Sequence, residues 1–330
     1  MAGEFALINK YFARPTPSAV LGPGDDCALL QPTVGKQLAV TTDMLVAGTH
    51  FLADTDPKNL GWKALAVNLS DLAAMGAKPR WVTLAGALPA VNEPWIAKFA
   101  AGFFACAAEY GVDVVGGDTT KGPLNLCITA IGEVEPGQAL RRDGAKVGDQ
   151  IWVSGRPGLA SLGLAQLQGK IKLPEPWPRL CIAALEKPRP RVALGLALNG
   201  IASAAIDVSD GLLADLGHIA ERSACAAAVQ LVKLPQLRDL AGSGESYNAD
   251  LRRLALDCQL AGGDDYELCF TAPYDQHLAI SRLAAELELP LWCIGEMVAK
   301  PKDDPAGQVT VFDPEGQPIE FDHQGYDHFA

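Results

Sequence analysis

Short apolar runs alternate with longer stretches of helical spacing through the first part of the chain. The run KQLAVTTDML predicts a strand that ends at Asp43, and VTLAGAL, VDVV and LNLCITAIGEV predict three more. Residues 57–75 and 93–110 have the periodicity of helices, Asp56 is placed to cap the first, and a glycine follows each. This pattern predicts an α/β fold.

The alternation resumes after a polar, glycine-rich stretch, EPGQALRRDGAKVGD. QIWVSG and YELCFTA predict strands, and ASAAIDVSDGLLADLGHIAERS predicts a strand, a turn and a helix in succession. A helix is predicted over 276–288, and QVTVFDPEGQPIEF predicts a terminal hairpin. We place the domain boundary in the polar stretch and predict an N-terminal α/β domain over 1–138 and a C-terminal one over 139–330.

Composition and charge narrow the possible functions. A hydrophobic content of 49% and a charged content of 20% are typical of a well-packed globular protein. The net charge of −12 argues against nucleic-acid binding. No apolar stretch is long enough to span a bilayer and no secretory signal is visible, so we expect a cytoplasmic protein. The eight cysteines lack CxxC spacing, and we interpret them, Cys27 included, as small core residues in a reducing compartment.

Aspartates recur where a predicted strand gives way to a turn. One such aspartate commonly caps a backbone N–H group, but five indicate ligand binding, because ligands collect at strand ends in α/β sheets. Gathered carboxylates would repel one another unless divalent cations lay among them, and an acidic protein needs such cations to bind a polyphosphate. The motifs are GPGDDCA, AVTTDM, VVGGDTT, AIDVSDG and AGGDDYE.

Asp71 supports a metal site independently. It shares one stripe of its predicted helix with four residues, and this stripe is otherwise typical of a buried face. A buried carboxylate is costly unless it is paired or binds metal, although the stripe could instead face solvent. The other members are Leu60, Ala64, Asn68 and Met75.

The familiar phosphate-binding motifs, GxxxxGK[ST] and a GxGxxG that opens a helix after a strand, are absent from the sequence. Ser209 is predicted to cap a helix that follows a strand, where it could bind a phosphate oxygen or serve only as a cap. Arg142 could bind a phosphate bidentately or be solvated. A lone histidine such as His50 is more often structural than functional.

In this order the motifs resemble those of the thiamine-phosphate kinase family, within the superfamily of aminoimidazole-ribonucleotide synthetase-like ATP enzymes. The resemblance extends over nearly the whole chain. The aspartate layout is shared by the superfamily, whereas GTHF, NLSDLAAMGA, GGDTT and the ending GYDHF are specific to this member.

The resemblance implies a two-domain α/β (α+β) fold of the aminoimidazole-ribonucleotide synthetase-like type. It implies that the N-terminal domains pair in a homodimer and that the C-terminal domain completes the ATP and substrate sites. Several magnesium ions would hold ATP, with Thr42 as a candidate carbonyl ligand; the implied ligands are Asp26, Thr42, Asp43, Asp71, Asp118, Asp207 and Asp210. The implied ATP contacts are Gly117, Asp118, Arg142 and Ser209, and the implied thiamine-phosphate contacts are His50, Asp264 and Tyr326.

One position departs from the family pattern. The family usually has GGEDYEL where this chain has GGDDYEL, so Asp264 replaces a glutamate and is shorter by a methylene group. Alternatively, Asp264 only caps the turn before the strand YELCFTA.

The implied reaction needs no general base. Its acceptor is a phosphate oxygen that is already ionised near neutral pH, since its second pKa is about 6. We therefore expect direct in-line transfer of the γ-phosphate without a phosphoenzyme. The alternatives are a selenophosphate or aminoimidazole-ribonucleotide synthetase, or a nucleotide-binding maturation scaffold of the hydrogenase-assembly kind. The first usually carries a reactive cysteine near a lysine, and the scaffold presents a C-terminal cysteine; neither arrangement is visible here.

Overall fold

A computed structural model describes residues 4–235, 249–300, 307–319, 321 and 325–326. The chain divides into two compact units, one of residues up to 72 with 76–139, the other of 73–75 with residues from 140 onward. Each unit has its own sheet. No helix in the described part of the chain has both the length and the apolar composition required to cross a membrane.

The first unit is built on a four-stranded sheet. Its helices are α1 (Glu4–Tyr11), α2 (Pro57–Ala74) and α3 (Glu93–Tyr110), and its strands are β1 (Gln37–Val46), β2 (Lys78–Leu88), β3 (Asp113–Lys121) and β4 (Asn125–Val134). The strand order is β1-β4-β2-β3, in which only β2 and β3 are parallel.

The predicted ends of two strands in this sheet are wrong. Asp43 and Asp118 lie inside β1 and β3, because pairing with β4 and β2 continues past both residues.

Helix α2 covers one face of this sheet. The Thr41 hydroxyl donates to the Asp71 carboxylate, and the Asp43 backbone N donates to Asn68 Oδ1 at 3.0 Å. Two glycines bring α2 close to α3: a Cβ at Gly61 would lie 2.1 Å from the Phe99 carbonyl oxygen, and one at Gly102 would lie 1.8 Å from that of Lys58. Every residue of α2 from 60 to 70 is buried.

The predicted stripe on α2 is therefore not a distinct buried face. The middle of the helix is buried on every side, whereas Asp71 is only partly buried and Met75 is exposed beyond the helix end at Ala74. Asp71, the charged residue of the stripe, therefore lies at the edge of the buried part of α2 and is not an isolated charge in the core.

The opposite face of the sheet is apolar and open to solvent. Alternation along β1 places Leu38, Val40 and Met44 on this face, with exposed fractions of 46%, 63% and 52%. Register pairs Val40 with Ile131 and Met44 with Cys127, so these β4 residues share the face. We call this surface the open face.

The second unit is built on a seven-stranded sheet of order β11-β10-β7-β9-β5-β8-β6. The strands are β5 (Gln150–Ser154), β6 (Ala204–Asp207), β7 (Cys225–Gln230), β8 (Leu268–Ala272), β9 (Leu291–Ala299), β10 (Val309–Phe312) and β11 (Pro318–Ile319). The helices are α4 (Leu159–Leu167), α5 (Trp177–Glu186), α6 (Val192–Ala197), α7 (Leu212–Arg222), α8 (Ala249–Ala261) and α9 (His277–Glu286). Helix α7 packs on the sheet through Leu212, Leu216 and Ile219, all fully buried.

All eight cysteines are free thiols. Five are buried as predicted, namely Cys106, Cys181, Cys225, Cys258 and Cys269. The interpretation of Cys27 as a core residue is wrong. It is exposed, because it lies among turns in the loop that precedes β1 rather than in a packed element.

Candidate active site

The loop between β6 and α7 brings together the predicted site residues of the second unit, apart from Arg142. Asp207 is the last residue of β6, and Ser209 and Asp210 follow it. The Asp264 backbone N donates to the Ser209 carbonyl at 2.8 Å, and the Tyr326 backbone N donates to the Asp210 carbonyl at 2.9 Å. These five residues therefore share one hydrogen-bonded frame.

Asp215 was not predicted, yet it holds this loop. Its Oδ2 accepts hydrogen bonds from the backbone N of Ser209, Asp210 and Gly211 at 3.0, 3.1 and 3.2 Å. Burial, reinforced by the Asp210 charge, raises the pKa of the Asp215 carboxyl to about 7, although the three amides act in the opposite direction. The available sequence signal was a lone acidic residue in the apolar first turn of LLADLGHI.

Ser209 is not the helix N-cap that the sequence predicts. Gly211 is the cap residue, with φ 128° and ψ 146°, and α7 begins at Leu212. The backbone N–H groups of Ser209, Asp210 and Gly211, which lead into this helix, donate to Asp215 instead of pointing at a ligand, so the argument that Ser209 binds a phosphate as a helix cap does not hold.

Asp264 lies in a strained segment beside this loop. Asp264 and Tyr266 both have left-handed backbones, with φ 69° and 52°, and the Tyr266 hydroxyl donates to Asp264 Oδ1 at 3.1 Å. Between them, buried Asp265 accepts from the backbone N of Gly158 and Ala160 at 2.6 and 3.2 Å, and burial raises the pKa of its carboxyl. Since Asp tolerates a left-handed backbone better than most residues, the conformation suits Asp at this position.

Arg142 lies at the other end of α7. Its carbonyl accepts from the Ser223 hydroxyl at 2.9 Å, and Ser223 follows the last residue of α7, whereas Ser209 precedes the first. A helix of 11 residues is about 16 Å long. The fold of the second unit therefore does not bring the Arg142 backbone to Ser209.

In the first unit, Asp43 and Asp71 share the face covered by α2, since Asp43 and Thr41 point to the same side of β1. Thr42 points to the other side, where its Oγ1 lies 2.9 Å from that of Thr129. Asp118 is exposed on β3 and shares this other side, because it pairs with Ala85, Ala85 pairs with Cys127, and Cys127 pairs with Met44 of the open face. The predicted ligands of this unit are thus distributed over both faces of the sheet.

Three further predicted site residues of the first unit are Asp26 and His50, which lie in loops, and Gly117, which lies where two strands approach closely. Asp26 is exposed in the loop before β1. The backbone N of Val46 donates to His50 Nδ1 at 3.0 Å, which places the ring hydrogen on Nε2. At Gly117, with φ 156°, a Cβ would lie 1.9 Å from the Leu84 carbonyl oxygen, so the strand contact alone requires glycine.

The arrangement of the predicted carboxylate ligands suits a magnesium ion that arrives bound to a nucleotide. It does not suit a metal site that is complete before the nucleotide binds. Within the described ranges, no three His, Cys, Asp or Glu side chains are grouped closely enough to hold a metal ion. The side chains of Asp26, Asp118 and Asp210 form no hydrogen bond or ion pair with any described residue. Magnesium is ordinarily held by one or two carboxylates together with waters and phosphate oxygens.

Comparison with known proteins decides the family. The model of the AIR synthase related protein N-terminal domain matches residues 24–134, and that of the C-terminal domain matches 146–307. The chain is 47% identical over 336 residues to the thiamine-monophosphate kinase of Salmonella typhimurium, covering 99% of this chain and 98% of that protein. The chain belongs to the thiamine-monophosphate kinase family.

Solved structures of this family agree. The thiamine-monophosphate kinase from Stenotrophomonas maltophilia is 49% identical, with a TM-score of 0.83 over 96% of this chain and 98% of that chain. AaThiL complexed with AMPPCP and TMP is 29% identical, with a TM-score of 0.73 over 98% and 97%. Family membership confirms the predicted two-domain fold and the prediction that the chain is a kinase.

Proposed function

We propose that this kinase transfers the γ-phosphate of ATP to thiamine phosphate, forming thiamine diphosphate. The observation that carries the proposal is the identity of 47% over nearly the full length of a thiamine-monophosphate kinase. A related structure complexed with AMPPCP, an ATP analogue, and TMP supports the same pair of substrates. The hydrogen-bonded frame around the β6–α7 loop supports it physically, because it joins metal-binding and substrate-binding candidates.

We assign magnesium binding to carboxylates of both units. In the second unit these are Asp207 and Asp210, and in the first they are Asp26, Asp43, Asp71 and Asp118, with the Thr42 carbonyl as a further ligand. The donor chemistry supports the assignment, since carboxylate and carbonyl oxygens suit magnesium. Magnesium, when bound, neutralises the phosphate charges that meet during transfer.

The remaining residues orient the two substrates. Gly117, Asp118, Ser209 and Arg142 are assigned to ATP; Arg142 stays a prediction that rests on the family resemblance. His50 is assigned to the phosphate of thiamine phosphate, which its Nε2 hydrogen suits. Asp264 and Tyr326 are assigned to the cationic thiazolium, which a carboxylate and an aromatic ring attract.

No side chain is assigned as a general base. The acceptor phosphate oxygen is ionised near neutral pH, so the chain needs only to align it with the γ-phosphate. We infer direct in-line transfer with no phosphorylated side chain.

We further propose that the first unit forms a homodimer through its open face. Exposed apolar side chains on a sheet face favour a partner surface, and Leu38, Val40 and Met44 form such a row.

The substrate assignment is tested by ADP release with four acceptors offered in parallel: thiamine phosphate, thiamine, selenide and a purine-ribonucleotide precursor. Thiamine phosphate alone should support turnover. Turnover with selenide or the purine precursor instead would assign the chain to another branch of the superfamily.

A further inference from the structure

One buried carboxylate fixes three consecutive residues of the β6–α7 loop. Asp215 is 2% exposed, and its Oδ2 accepts from Ser209, Asp210 and Gly211. Asp215 lies inside the first turn of α7, behind the cap residue rather than before it. A neutral side chain would avoid the cost of burying a charge, but a carboxylate is a stronger acceptor for three N–H groups.

These bonds change the kind of ligand that suits the loop before α7. Backbone N–H groups at a helix N-terminus ordinarily bind anions. Here the three N–H groups of the loop that leads into the helix donate to Asp215, whereas the Asp210 side chain makes no hydrogen bond or ion pair with any described residue. The loop therefore presents a carboxylate in place of N–H groups, and a carboxylate suits a cation.

The same loop supports both candidates for substrate contact in this unit. Asp264 and Tyr326 are bonded through their backbone N to the carbonyls of Ser209 and Asp210. A shift of the loop would therefore move the metal-binding and substrate-binding candidates together.

We propose that Asp215 is a positioning residue for magnesium, which orients the Asp210 carboxylate by holding the backbone of the β6–α7 loop. The proposal rests on the proposed function, in which Asp210 binds magnesium. Asp215 acts through the loop backbone and does not touch the ion.

The test is Mn²⁺ binding to the full chain in the presence of AMPPCP, followed by electron paramagnetic resonance. Asp215→Asn keeps the shape and one acceptor oxygen, whereas Asp215→Ala removes the acceptor. We expect Mn²⁺ affinity to fall about 10-fold in the first variant and up to about 100-fold in the second, with helical circular dichroism retained. This experiment measures metal binding and no phosphoryl transfer. A failure of the proposed reaction would therefore be seen separately, in the ADP-release assay, as wild-type protein that binds Mn²⁺ but does not turn over thiamine phosphate.

Asp149→Asn is the matched control. Asp149 is also a buried carboxylate of the second unit, and it accepts from the Lys146 backbone N at 2.9 Å and the Ser203 hydroxyl at 2.6 Å. This variant should melt at a lower temperature and bind Mn²⁺ normally. The proposal is overturned if both Asp215 variants bind Mn²⁺ normally and only melt earlier, like the control. If Asp215→Ala does not fold, Asp215→Asn decides by the same criterion.

Discussion

Burial separates the roles of the acidic residues in this chain. Asp215 and Asp265 are buried and accept backbone N–H groups, whereas Asp118 is exposed and Asp210 partly buried. The sequence motifs identified most acidic positions of the candidate site. They did not show which of these residues are buried and accept backbone hydrogen bonds and which are open to a ligand. Neighbouring residues of GGDDYEL show why: Asp264 and Asp265 are chemically identical, and only the local backbone directs the second to the N-terminus of α4.

Asp118→Asn and Asp210→Asn should each abolish turnover and leave the fold intact. Each change removes one charge from a side chain that makes no hydrogen bond or ion pair with a described residue, so the free energy of unfolding should change by less than about 0.5 kcal/mol. Turnover at limiting magnesium and urea unfolding measure the two effects. Asp149→Asn is the control, expected to lose about 1–3 kcal/mol of stability and keep turnover. Near-normal turnover of both aspartate variants would contradict the assignment of these ligands.

Asp264→Glu tests the acceptor site. If Asp264 contacts thiamine phosphate, the Michaelis constant for thiamine phosphate should change and that for ATP should stay nearly the same. The left-handed backbone should add a stability loss of about 1–2 kcal/mol, because glutamate tolerates it less well.

Asp313→Glu is the control for a turn-capping role, since Asp313 Oδ1 accepts from the backbone N of Glu315 and Gln317 at 3.0 and 2.7 Å. It should lower thermal stability and leave both Michaelis constants alone. The same pattern in Asp264→Glu would show that Asp264 only caps its turn, and equal shifts in both constants would place it elsewhere in the site.

At the scale of elements, helix α3 and strand β7 show where sequence signals suffice and where they do not. The periodicity of residues 93–110 and the glycine that follows predict helix α3 with its observed bounds. In the structure Asn92 caps it, a proline occupies its first turn and Gly111 ends it with φ 65°. Strand β7, CAAAVQ, was not predicted, since alanine has little strand propensity. It is stabilised by pairing with β9 and β10, which lie far away in sequence.

Glu133 anchors the loop before β1 to β4. Its carboxylate is 6% exposed and accepts from the Thr33 backbone N and hydroxyl at 2.7 and 2.9 Å. Burial acts to raise the pKa of the Glu133 carboxyl, but the Thr33 bonds and the Arg80 guanidinium outweigh it and hold the pKa below its ordinary value. The stabilisation is therefore present above the ordinary pKa of about 4.3 and is lost as the pH falls below it.

Glu133→Gln should accordingly lose about 1–3 kcal/mol of unfolding free energy at pH 7, because buried donors lose a charged acceptor. The difference from wild type should narrow as the pH falls below about 4. Urea unfolding across this range measures it. Glu135→Gln removes an exposed ion pair with Lys36 and should cost less than about 1 kcal/mol at any pH. A deficit for Glu133→Gln that stayed constant with pH would contradict the role of its charge.

At the scale of the whole molecule, the family resemblance extends over both units, and this is why fold and kinase activity could be predicted. The distribution of the first unit's ligands over two sheet faces could not, because it depends on strand register. The open face could not be predicted either. The sequence shows the alternation along β1, but it does not show which side of the sheet α2 covers.

The proposed homodimer predicts twice the mass of one chain by light scattering at micromolar concentration. Val40→Asp places a charge in the middle of the open face and should shift the mass toward the monomer. Val34→Asp, at a residue 95% exposed in a loop, is the control and should remain dimeric. A monomer mass for the wild-type chain would reject the proposal.

The central claim is direct phosphoryl transfer from ATP to thiamine phosphate, and one rapid-quench experiment tests it. Excess enzyme is mixed with magnesium, ATP labelled at the γ-phosphate and thiamine phosphate, and the label is followed in product and protein. We predict that the label passes into thiamine diphosphate in step with ADP formation, with none on the protein at any time, and that removing magnesium stops it. Label on the protein before product forms, or ADP release without labelled thiamine diphosphate, would contradict the claim.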